Sequence, residues 1–176
     1  LGYPMFVKPA NAGSSIGVSK ARNRAELQKA LDVAFAEDRK VIVEEMISGQ
    51  EVECAVLGAA DAEPSVAGEI ASANVEVYDY ESKYVNPQSQ LYIPARIPNE
   101  TMELLRQTAV KAFHAIGCEG LSRVDFFVTK DSEVVLNEIN TFPGFTSISM
   151  YPKLWEHCGV TIGRLLDRLI DYGINR

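Results

Sequence analysis

Apolar residues in this chain follow two different periods, which together predict an α+β fold with a mostly antiparallel sheet and flanking helices. Short apolar and β-branched runs bounded by turn residues predict six strands. These strands span residues 5–8, 40–46, 51–58, 64–70, 121–129 and 133–139. Apolar positions at helical spacing predict four helices. These helices span residues 24–36, 99–116, 149–157 and 161–173.

Capping residues and apolar stripes define the expected ends and buried faces of the first two helices. Asn23 is the predicted N-cap, with Glu26 completing a capping box, and Gly117 is predicted to stop the second helix. The expected buried stripe of the first helix contains Leu27, Leu31, Ala34 and Phe35. The expected stripe of the second helix contains Met102, Leu105, Ala109, Ala112 and Ile116.

The segment 71–91 follows neither period. It combines small, polar and tyrosine residues and includes Pro87. A loop of this length without its own structure is uncommon inside a compact domain and is often functional. We therefore interpret the segment as a lid, in which Lys83 could close over anionic groups. The alternative is a solvent-exposed loop with its tyrosines packed on the surface.

Composition and charge exclude several classes of protein. The 176 residues are 47% hydrophobic, enough for a core, and their net charge of −7 argues against a nucleic-acid binder. No run approaches the roughly 20 apolar residues of a membrane span, so we expect no membrane partner. Three widely spaced cysteines without a C-x-x-C motif support neither a disulfide framework nor a zinc site, and they indicate the reducing cytoplasm. Because the chain begins at Leu1 and enters a strand almost at once, we interpret it as a piece of a longer protein.

Oxygen-bearing side chains cluster on the last two predicted strands. Asp125 lies on the first, and Glu138 and Asn140, two residues apart, share one face of the second. Carboxylate and amide oxygens without His or Cys suit a hard cation such as Mg²⁺. Arg123 shares a face with Asp125, and an apolar strand seldom carries such charges inward unless they are paired or bind an ion. Each acid alone would be an ordinary solvated residue, but the set predicts Mg-nucleotide chemistry.

Lys8 and three further acids are candidates for nucleotide contacts. Lys8 ends an apolar strand just before the small-residue loop 13–17, whose backbone N–H groups could wrap phosphates. A Gly/Ser turn without a ligand is also common. Glu44, Glu45 and Glu51 lie at strand ends. Acids there are usually solvated, and the functional alternative is hydrogen bonding to a purine amino group and a ribose hydroxyl.

Five motifs occur in order along the chain: V-K-P-x-x-x-G-S-S-x-G at 7–17, S-G-x-E at 48–51, Y-D-Y-E-x-K-Y at 78–84, R-V-D at 123–125 and N-E-I-N-T-x-P-G-x-T-S at 137–147. In this combination the chain resembles the D-alanine–D-alanine ligase family of the ATP-grasp superfamily. The resemblance runs from Leu1 to about Tyr172 and covers what would be the C-terminal two thirds of such a ligase. It implies an ATP-grasp fold, with residues 1–50 in the central subdomain and 51–176 in the C-terminal subdomain that carries the lid.

The resemblance also implies a role for each candidate residue. Nucleotide contacts are implied for Lys8, Ser15, Glu44, Glu45, Ile47, Glu51 and Phe127. Ligation of two magnesium ions, or of manganese in their place, is implied for Asp125, Glu138 and Asn140. Catalytic roles are implied for Arg123 and Gly144 at an oxyanion and for Ser14, Lys83 and Tyr84 in the loop and lid. Ser149 matches the serine that binds the carboxylate of the second substrate.

The implied reaction joins two D-alanines at the expense of ATP, through an acyl phosphate, for peptidoglycan synthesis. The full-length protein would be a cytoplasmic homodimer. Phe142 and Ile148 depart from the residues common in the family, so a D-Ala-D-Ser ligase of the vancomycin-resistance type remains an alternative. Tyr84 speaks against the D-lactate subgroup. The family's first domain, which helps bind the first D-alanine, has no counterpart in this chain, so we expect the isolated chain to be inactive.

Two further alternatives belong to other functional classes. One is a nucleotide-binding module of another ATP-grasp ligase, such as a carboxylase, and the lid motif at 78–84 argues against it. The other is a non-catalytic remnant of the fold. An intact set of site residues argues against a remnant, because a decayed site would not need buried like charges. The set consists of Lys8, Asp125, Glu138 and Asn140.

Overall fold

The computed structural model describes residues 1–13, 15–71 and 90–175, which fall into two compact units. The first unit contains Leu1–Ile47, and the second contains Ser48–Ala71 together with residues 91–175. The described residues form eight strands and four helices. Three predicted site residues, Ser14, Lys83 and Tyr84, lie outside the described part of the chain.

A three-stranded antiparallel sheet forms the first unit together with one helix. The sheet contains β1 (Met5–Pro9), β2 (Ser19–Ala21) and β3 (Val41–Glu45) in the order β2-β1-β3. The helix α1 (Arg24–Glu37) packs on one face of this sheet. The buried core between them consists of Met5, Val7, Ala21, Ala30 and Ala34.

The predicted cap of α1 is confirmed, but its predicted stripe is partly wrong. The Asn23 side chain accepts a hydrogen bond from the Glu26 N–H at 3.0 Å, and the Glu26 carboxylate accepts one from the Arg22 N–H at 2.9 Å. Ala34 is fully buried, whereas the Phe35 side chain is 54% exposed. One residue turns a helix by about 100°, so Phe35 falls outside the narrow face that Ala30 and Ala34 present to the sheet.

The second unit is built on a five-stranded sheet in the order β6-β5-β4-β7-β8. Its strands are β4 (Gln50–Gly58), β5 (Glu63–Ala71), β6 (Gln90–Tyr92), β7 (Gly120–Val128) and β8 (Val134–Asn140). The pairs β4–β5, β4–β7 and β7–β8 are antiparallel. The sequence did not predict β6, because three residues at the end of an irregular segment carry no periodic signal. Residues 72–89 of the predicted lid lie outside the described residues.

Helices cover both faces of this sheet. The helix α2 (Asn99–Ala115) packs on the face that carries Val124, Phe126 and Val128. The helices α3 (Met150–His157) and α4 (Ile162–Ile174) pack on the opposite face, against Ala55 and Leu57. None of the helices in residues 1–13, 15–71 and 90–175 has both the length and the apolar character that crossing a bilayer requires.

The C-terminal end of α2 agrees with one prediction and contradicts another. Gly117 has φ +64°, a left-handed conformation that favours glycine and ends the helix as predicted. Ile116 was predicted to lie in the buried stripe but is exposed, because it is already the C-cap residue beyond the last helical turn. Phe113, which is fully buried, occupies that end of the core instead.

Candidate functional site

The predicted metal ligands lie together on one face of the five-stranded sheet. Asp125 on β7 pairs directly with Glu138 on β8, and Arg123 pairs with Asn140 one step along the same face. Directly opposed residues of an antiparallel pair project to the same side of the sheet. The prediction that Glu138 and Asn140 share a face is therefore confirmed, and the register adds Arg123 and Asp125 to that face.

A β-bulge in β8 makes this arrangement compatible with a buried opposite face. Asp125 pairs with Glu138, but the next residue, Phe126, pairs with Leu136, so Asn137 is the additional residue. Without it, Leu136 and Glu138 would project to the same side, as residues two apart do in a regular strand. The bulge places Val134, which packs against the core beneath α2, opposite Val128. Leu136 pairs with Phe126 but stays 44% exposed, while Glu138 remains beside Asp125. Bulges that re-aim side chains are frequent next to active sites.

Arg123 forms ion pairs with two carboxylates. Its Nε and terminal nitrogen donate to the two Asp125 oxygens at 2.7 and 2.6 Å, and Nε lies 3.1 Å from an oxygen of Glu53. Burial by itself lowers the pKa of Arg123, since it disfavours the charge. The hydrogen bonds to Asp125 and the charges of Asp125, Glu53 and Glu138 outweigh that effect and raise the pKa above its ordinary value. The guanidinium is thus a permanent cation at the centre of an acidic face.

Glu53 is a member of this cluster that the sequence analysis missed. It lies on β4, directly opposite Asp125, so that Glu53, Asp125 and Glu138 form one row across three strands. It is only 8% exposed. A signal was available in the sequence, since a lone acid inside the apolar run Val52–Leu57 needs a partner to be buried.

Glu51 and Phe127 occupy the neighbouring row. They pair directly across β4 and β7, and both are half-buried. Because residues two apart share a face, they lie on the same side of the sheet as Glu53 and Asp125. The structure therefore brings two predicted nucleotide contacts next to the predicted metal ligands.

The oxygen donors of this face fit a divalent cation. Asp125 and Glu138 present carboxylates from adjacent strands, and Asn140 adds an amide oxygen. Among residues 1–13, 15–71 and 90–175, no three His, Cys, Asp or Glu side chains form a cluster that could hold a metal. A cation on this face would thus depend on the Asn140 amide as its third protein donor.

The loop after β8 is organised by short-range hydrogen bonds. The Asn140 side-chain oxygen accepts a hydrogen bond from the Phe142 N–H at 3.1 Å. The Ser149 hydroxyl accepts one from the Thr146 N–H at 3.1 Å and lies 2.9 Å from the Thr146 hydroxyl. A Cβ placed on Gly144 would lie 2.8 Å from the Ser149 oxygen, closer than such atoms come in real structures. Gly144 and Ser149, two predicted site residues, are therefore in direct contact.

Ser149 lies at the N-cap position of α3, and its side chain makes no capping hydrogen bond to that helix. Anionic groups are favoured at helix N-termini, where N–H groups have no intrahelical partner. Phe142 and Ile148 are both exposed large hydrophobic residues on the same loop. The loop thus combines a polar end that suits a carboxylate with exposed apolar side chains that could select a substrate.

In the first unit, Lys8 and Glu44 form an ion pair of 2.7 Å on the sheet face opposite α1. Both side chains are partly exposed. Glu45 pairs with Met5, so its side chain projects from the other face of β3. Ile47 is half-buried just beyond β3. The structure therefore brings Lys8 and Glu44 together and separates the Glu45 side chain from them.

The loop between β1 and β2 is fixed at its base. The Asp38 carboxylate accepts hydrogen bonds from the Asn11 N–H and side-chain amide at 2.8 and 2.7 Å. Gly17 has φ +72°, and a Cβ there would meet Pro9 at 2.7 Å. Ser15 also has a positive φ, of 60°, which is uncommon for a residue other than glycine. The predicted phosphate contact Ser15 is thus held in a tight turn between two fixed points.

Comparison with known proteins identifies the family of this chain. Residues 1–171 match the family described as the C-terminus of D-ala D-ala ligase. A D-alanine–D-alanine ligase from Acetivibrio thermocellus is 57% identical over 175 residues, which are 99% of this chain and 46% of that protein. The chain spans about half the length of the curated relatives that it matches, less than the two thirds that we expected from the motifs.

Two solved structures have the same fold. The D-alanine-D-alanine ligase from Coxiella burnetii is 38% identical, with a TM-score of 0.87, and the match covers 99% of this chain and 46% of that one. The VanG D-Ala:D-Ser ligase from Enterococcus faecalis is 44% identical, with a TM-score of 0.88, and the match covers 98% of this chain and 50% of that one. The chain therefore belongs to the D-alanine–D-alanine ligase family and has the ATP-grasp fold of its C-terminal part.

Proposed function

We propose that the full-length protein is an ATP-dependent ligase that joins two D-alanines into D-alanyl-D-alanine for peptidoglycan synthesis. The observation that carries this proposal is the register of β7 and β8, which gathers Arg123, Asp125, Glu138 and Asn140 on one face. Membership of the D-alanine–D-alanine ligase family supports it. We further propose that the protein acts in the cytoplasm as a homodimer, with no nucleic-acid or membrane partner.

Asp125, Glu138 and Asn140 are the residues that would hold magnesium, with two ions as the proposed number and manganese as a possible substitute. When bound, the ions would neutralise negative charge on the phosphoryl group that is transferred. Arg123 pairs with Asp125, and a hard cation is bound by carboxylate oxygens such as those of Asp125 and Glu138. The opposed positions of Asp125 and Glu138 support this assignment.

Nucleotide contacts are proposed for residues within each unit separately. Lys8 would contribute a point charge to the phosphates, which requires its ion pair with Glu44 to open or be shared. Glu44 would then be available for the adenine, and Glu51 beside Phe127 for the ribose. The backbone at Glu45 and Ile47 and the turn at Ser15 complete the proposed contacts. We place residues 1–50 in the central ATP-grasp subdomain and 51–176 in the C-terminal one, and the boundary between the compact units near residue 48 supports this division.

The reaction proceeds in two steps that conserve atoms and charge. A carboxylate oxygen of the first D-alanine attacks the γ-phosphorus, ADP leaves, and an acyl phosphate forms. The ammonium group of the second D-alanine loses one proton and the resulting amine attacks the acyl carbon. Phosphate then leaves with the bridging oxygen, and the nitrogen gives up a second proton to water to form the neutral amide. Arg123 and the Gly144 N–H would donate to the tetrahedral oxyanion, each contributing about 3–4 kcal/mol in comparable sites.

Water must be excluded from the acyl phosphate, and the second substrate must be oriented. We assign water exclusion to Ser14, Lys83 and Tyr84, since a closed loop and lid prevent hydrolysis of reactive intermediates. Ser149 at the N-cap of α3 would bind the carboxylate of the second D-alanine. Its contact with Gly144 supports a carboxylate contact next to the proposed oxyanion donor.

A D-Ala-D-Ser ligase is the second candidate. The structural likeness to the VanG D-Ala:D-Ser ligase favours it, at 44% identity and a TM-score of 0.88. Phe142 and Ile148 are exposed on the loop that carries Ser149, where they could contact the side chain of a second substrate.

The test is an assay of the full-length protein with ATP and Mg²⁺, in which phosphate release is measured and products are identified by mass. D-alanine alone, D-alanine with D-serine, and L-alanine are compared. Release of phosphate together with D-alanyl-D-alanine supports the proposal. A preferred mixed product supports the second candidate. Absence of any D-alanine-dependent product contradicts both.

A further inference from the structure

Glu53 is a buried carboxylate to which the proposed reaction gives no role. It lies in the middle of β4, the central strand of the five-stranded sheet, between the fully buried residues Val52 and Cys54. Burying a carboxylate costs free energy unless a cation or hydrogen-bond donors compensate. Arg123 supplies a cation at this place: its Nε lies 3.1 Å from Glu53 Oε2, which is an ion pair in which that oxygen accepts no hydrogen bond from the described residues.

The Nε atom of Arg123 is shared between two acids. It lies 2.7 Å from Asp125 Oδ1 and 3.1 Å from Glu53 Oε2. The Asp125 contact is bidentate, since a terminal nitrogen of Arg123 donates to Oδ2 at 2.6 Å. Of these two partners of Arg123, Glu53 thus makes the longer contact and Asp125 the shorter, bidentate one.

The proposed function sets Arg123 and the metal in competition for Asp125. A cation that binds Asp125 draws on the same carboxylate oxygens that accept from Arg123, which weakens the Arg123–Asp125 pair. The Arg123 side chain is only 19% exposed, so water cannot replace a lost partner well. An unpaired Arg123 at this place would raise the free energy of the folded protein, and its side chain would be free to move away.

We propose that Glu53 is a positioning residue, which holds the Arg123 guanidinium in place when Asp125 binds the metal. The inference rests on the proposed function, since it requires Asp125 to be a metal ligand. Glu53 does not contact substrate in this scheme. It acts through Arg123. Without Glu53, the guanidinium would move together with Asp125 or would no longer point toward the oxyanion.

The test uses the full-length protein with ¹⁵N-labelled arginine and observes the Nε–H resonance of Arg123 by NMR, assigned with Arg123→Lys. Wild type is compared with Glu53→Gln before and after addition of Mg²⁺ and ADP, whose binding is monitored by titration calorimetry. In wild type, we expect the Arg123 Nε–H to stay protected from exchange with water in both states. In Glu53→Gln, we expect it to exchange about tenfold faster once Mg²⁺ and ADP are bound, since the variant lacks the second anion that pairs with Arg123.

Glu103→Gln is the matched control. It makes the same change in charge at an exposed acid that pairs with Arg106 on α2. This variant should leave the Arg123 resonance, kcat and KM at their wild-type values. Glu53→Gln should lower kcat about tenfold and change KM for ATP by less than about twofold, because Arg123 is proposed to act on the oxyanion and not on the nucleotide.

A merely structural role for Glu53 predicts a lower melting temperature without any dependence of the Arg123 resonance on Mg²⁺. That result would overturn the proposal, as would loss of the resonance in wild type when Mg²⁺ and ADP bind. If Mg²⁺ and ADP do not bind, the proposal is also overturned, because it requires Asp125 to be a metal ligand. If Glu53→Gln does not fold, the proposal is judged on wild type alone, by whether the Arg123 Nε–H stays protected when Mg²⁺ and ADP bind. The NMR measurement does not require turnover. A protein that makes no dipeptide would therefore contradict the proposed function, but the Arg123 resonance could still be measured.

Discussion

Asp125 and Glu138 face each other across β7 and β8, and the register of these strands shifts immediately beyond the pair. The shift comes from Asn137, the additional residue of a β-bulge. Because of this bulge, one face of the five-stranded sheet packs against α2 while the other face carries the carboxylates. The metal ligands proposed here are therefore placed by backbone geometry, and replacing the exposed Glu138 should affect chemistry more than folding.

Glu138→Gln should lower kcat at least about 100-fold, because it removes a charge that would stabilise the bound cations. Its melting temperature should change little, since Glu138 is exposed. Steady-state kinetics across a range of Mg²⁺ concentrations and thermal unfolding check both expectations. Glu133→Gln, the same change at an exposed acid just before β8, is the control. Equal loss of activity in the two variants would count against the assignment of Glu138.

Gly144→Ala should destabilise the loop by roughly 1–2 kcal/mol, because the new Cβ would meet the Ser149 oxygen at 2.8 Å. The double variant Gly144→Ala with Ser149→Ala removes that oxygen and leaves only a contact of 3.7 Å to the Ser149 Cβ. We therefore expect the double variant to recover much of the stability lost by Gly144→Ala. Urea denaturation of the four proteins of this cycle measures the coupling. Strict additivity would show that the two residues are not in contact.

Lys8→Gln should raise KM for ATP about tenfold while leaving stability nearly unchanged. The ion pair with Glu44 is partly exposed, and such pairs contribute less than about 1 kcal/mol. Initial-rate kinetics and thermal unfolding separate the two effects. Lys111→Gln, on the exposed surface of α2, is the control. An unchanged KM would remove Lys8 from the proposed phosphate contacts.

Glu69→Gln tests an ion pair between a buried carboxylate and the half-exposed Arg96 elsewhere in the second unit. Glu69 is 3% exposed, and its two oxygens accept from Arg96 at 2.9 and 2.7 Å. The Arg96 hydrogen bonds lower the pKa of Glu69 below its ordinary 4.5. A pKa lowered by folding contributes stability above pH 4.5, and that contribution is lost as the pH falls through the folded-state pKa.

We expect Glu69→Gln to cost about 2 kcal/mol at pH 7, the usual scale for a charged hydrogen-bonding partner. The difference from wild type should shrink as the pH falls below about 4.5. Urea denaturation from pH 7 to pH 3 provides the comparison. A difference that stays constant over this range would mean that the charge of Glu69 does not contribute.

Local chemistry made much of the fold predictable from the sequence. The cap at Asn23 and the stop at Gly117 depend on neighbouring residues alone, and both are confirmed. The common face of Arg123 and Asp125 follows from the period of two along one strand, and the structure pairs them directly. Phe35 is a wrong prediction because helical spacing does not show how narrow the contact with the sheet is.

The rest of the site depends on which strands are neighbours. Glu53 joins the site only because β4 lies beside β7, and the sequence does not reveal that order. The bulge at Asn137 has no local signal either, since it is defined by the register against β7. A buried acid in an apolar run indicates that some partner exists, but only the register identifies it as Arg123.

The most direct test of the central claim is the fate of carboxylate oxygen. The full-length protein is supplied with D-alanine labelled with ¹⁸O in both carboxylate oxygens, together with ATP and Mg²⁺, and the released phosphate is analysed by mass spectrometry. An acyl phosphate route transfers one ¹⁸O to phosphate for every dipeptide formed, and that is the predicted result. Dipeptide formation with unlabelled phosphate, or labelled D-alanine that yields no dipeptide at all, would contradict the account.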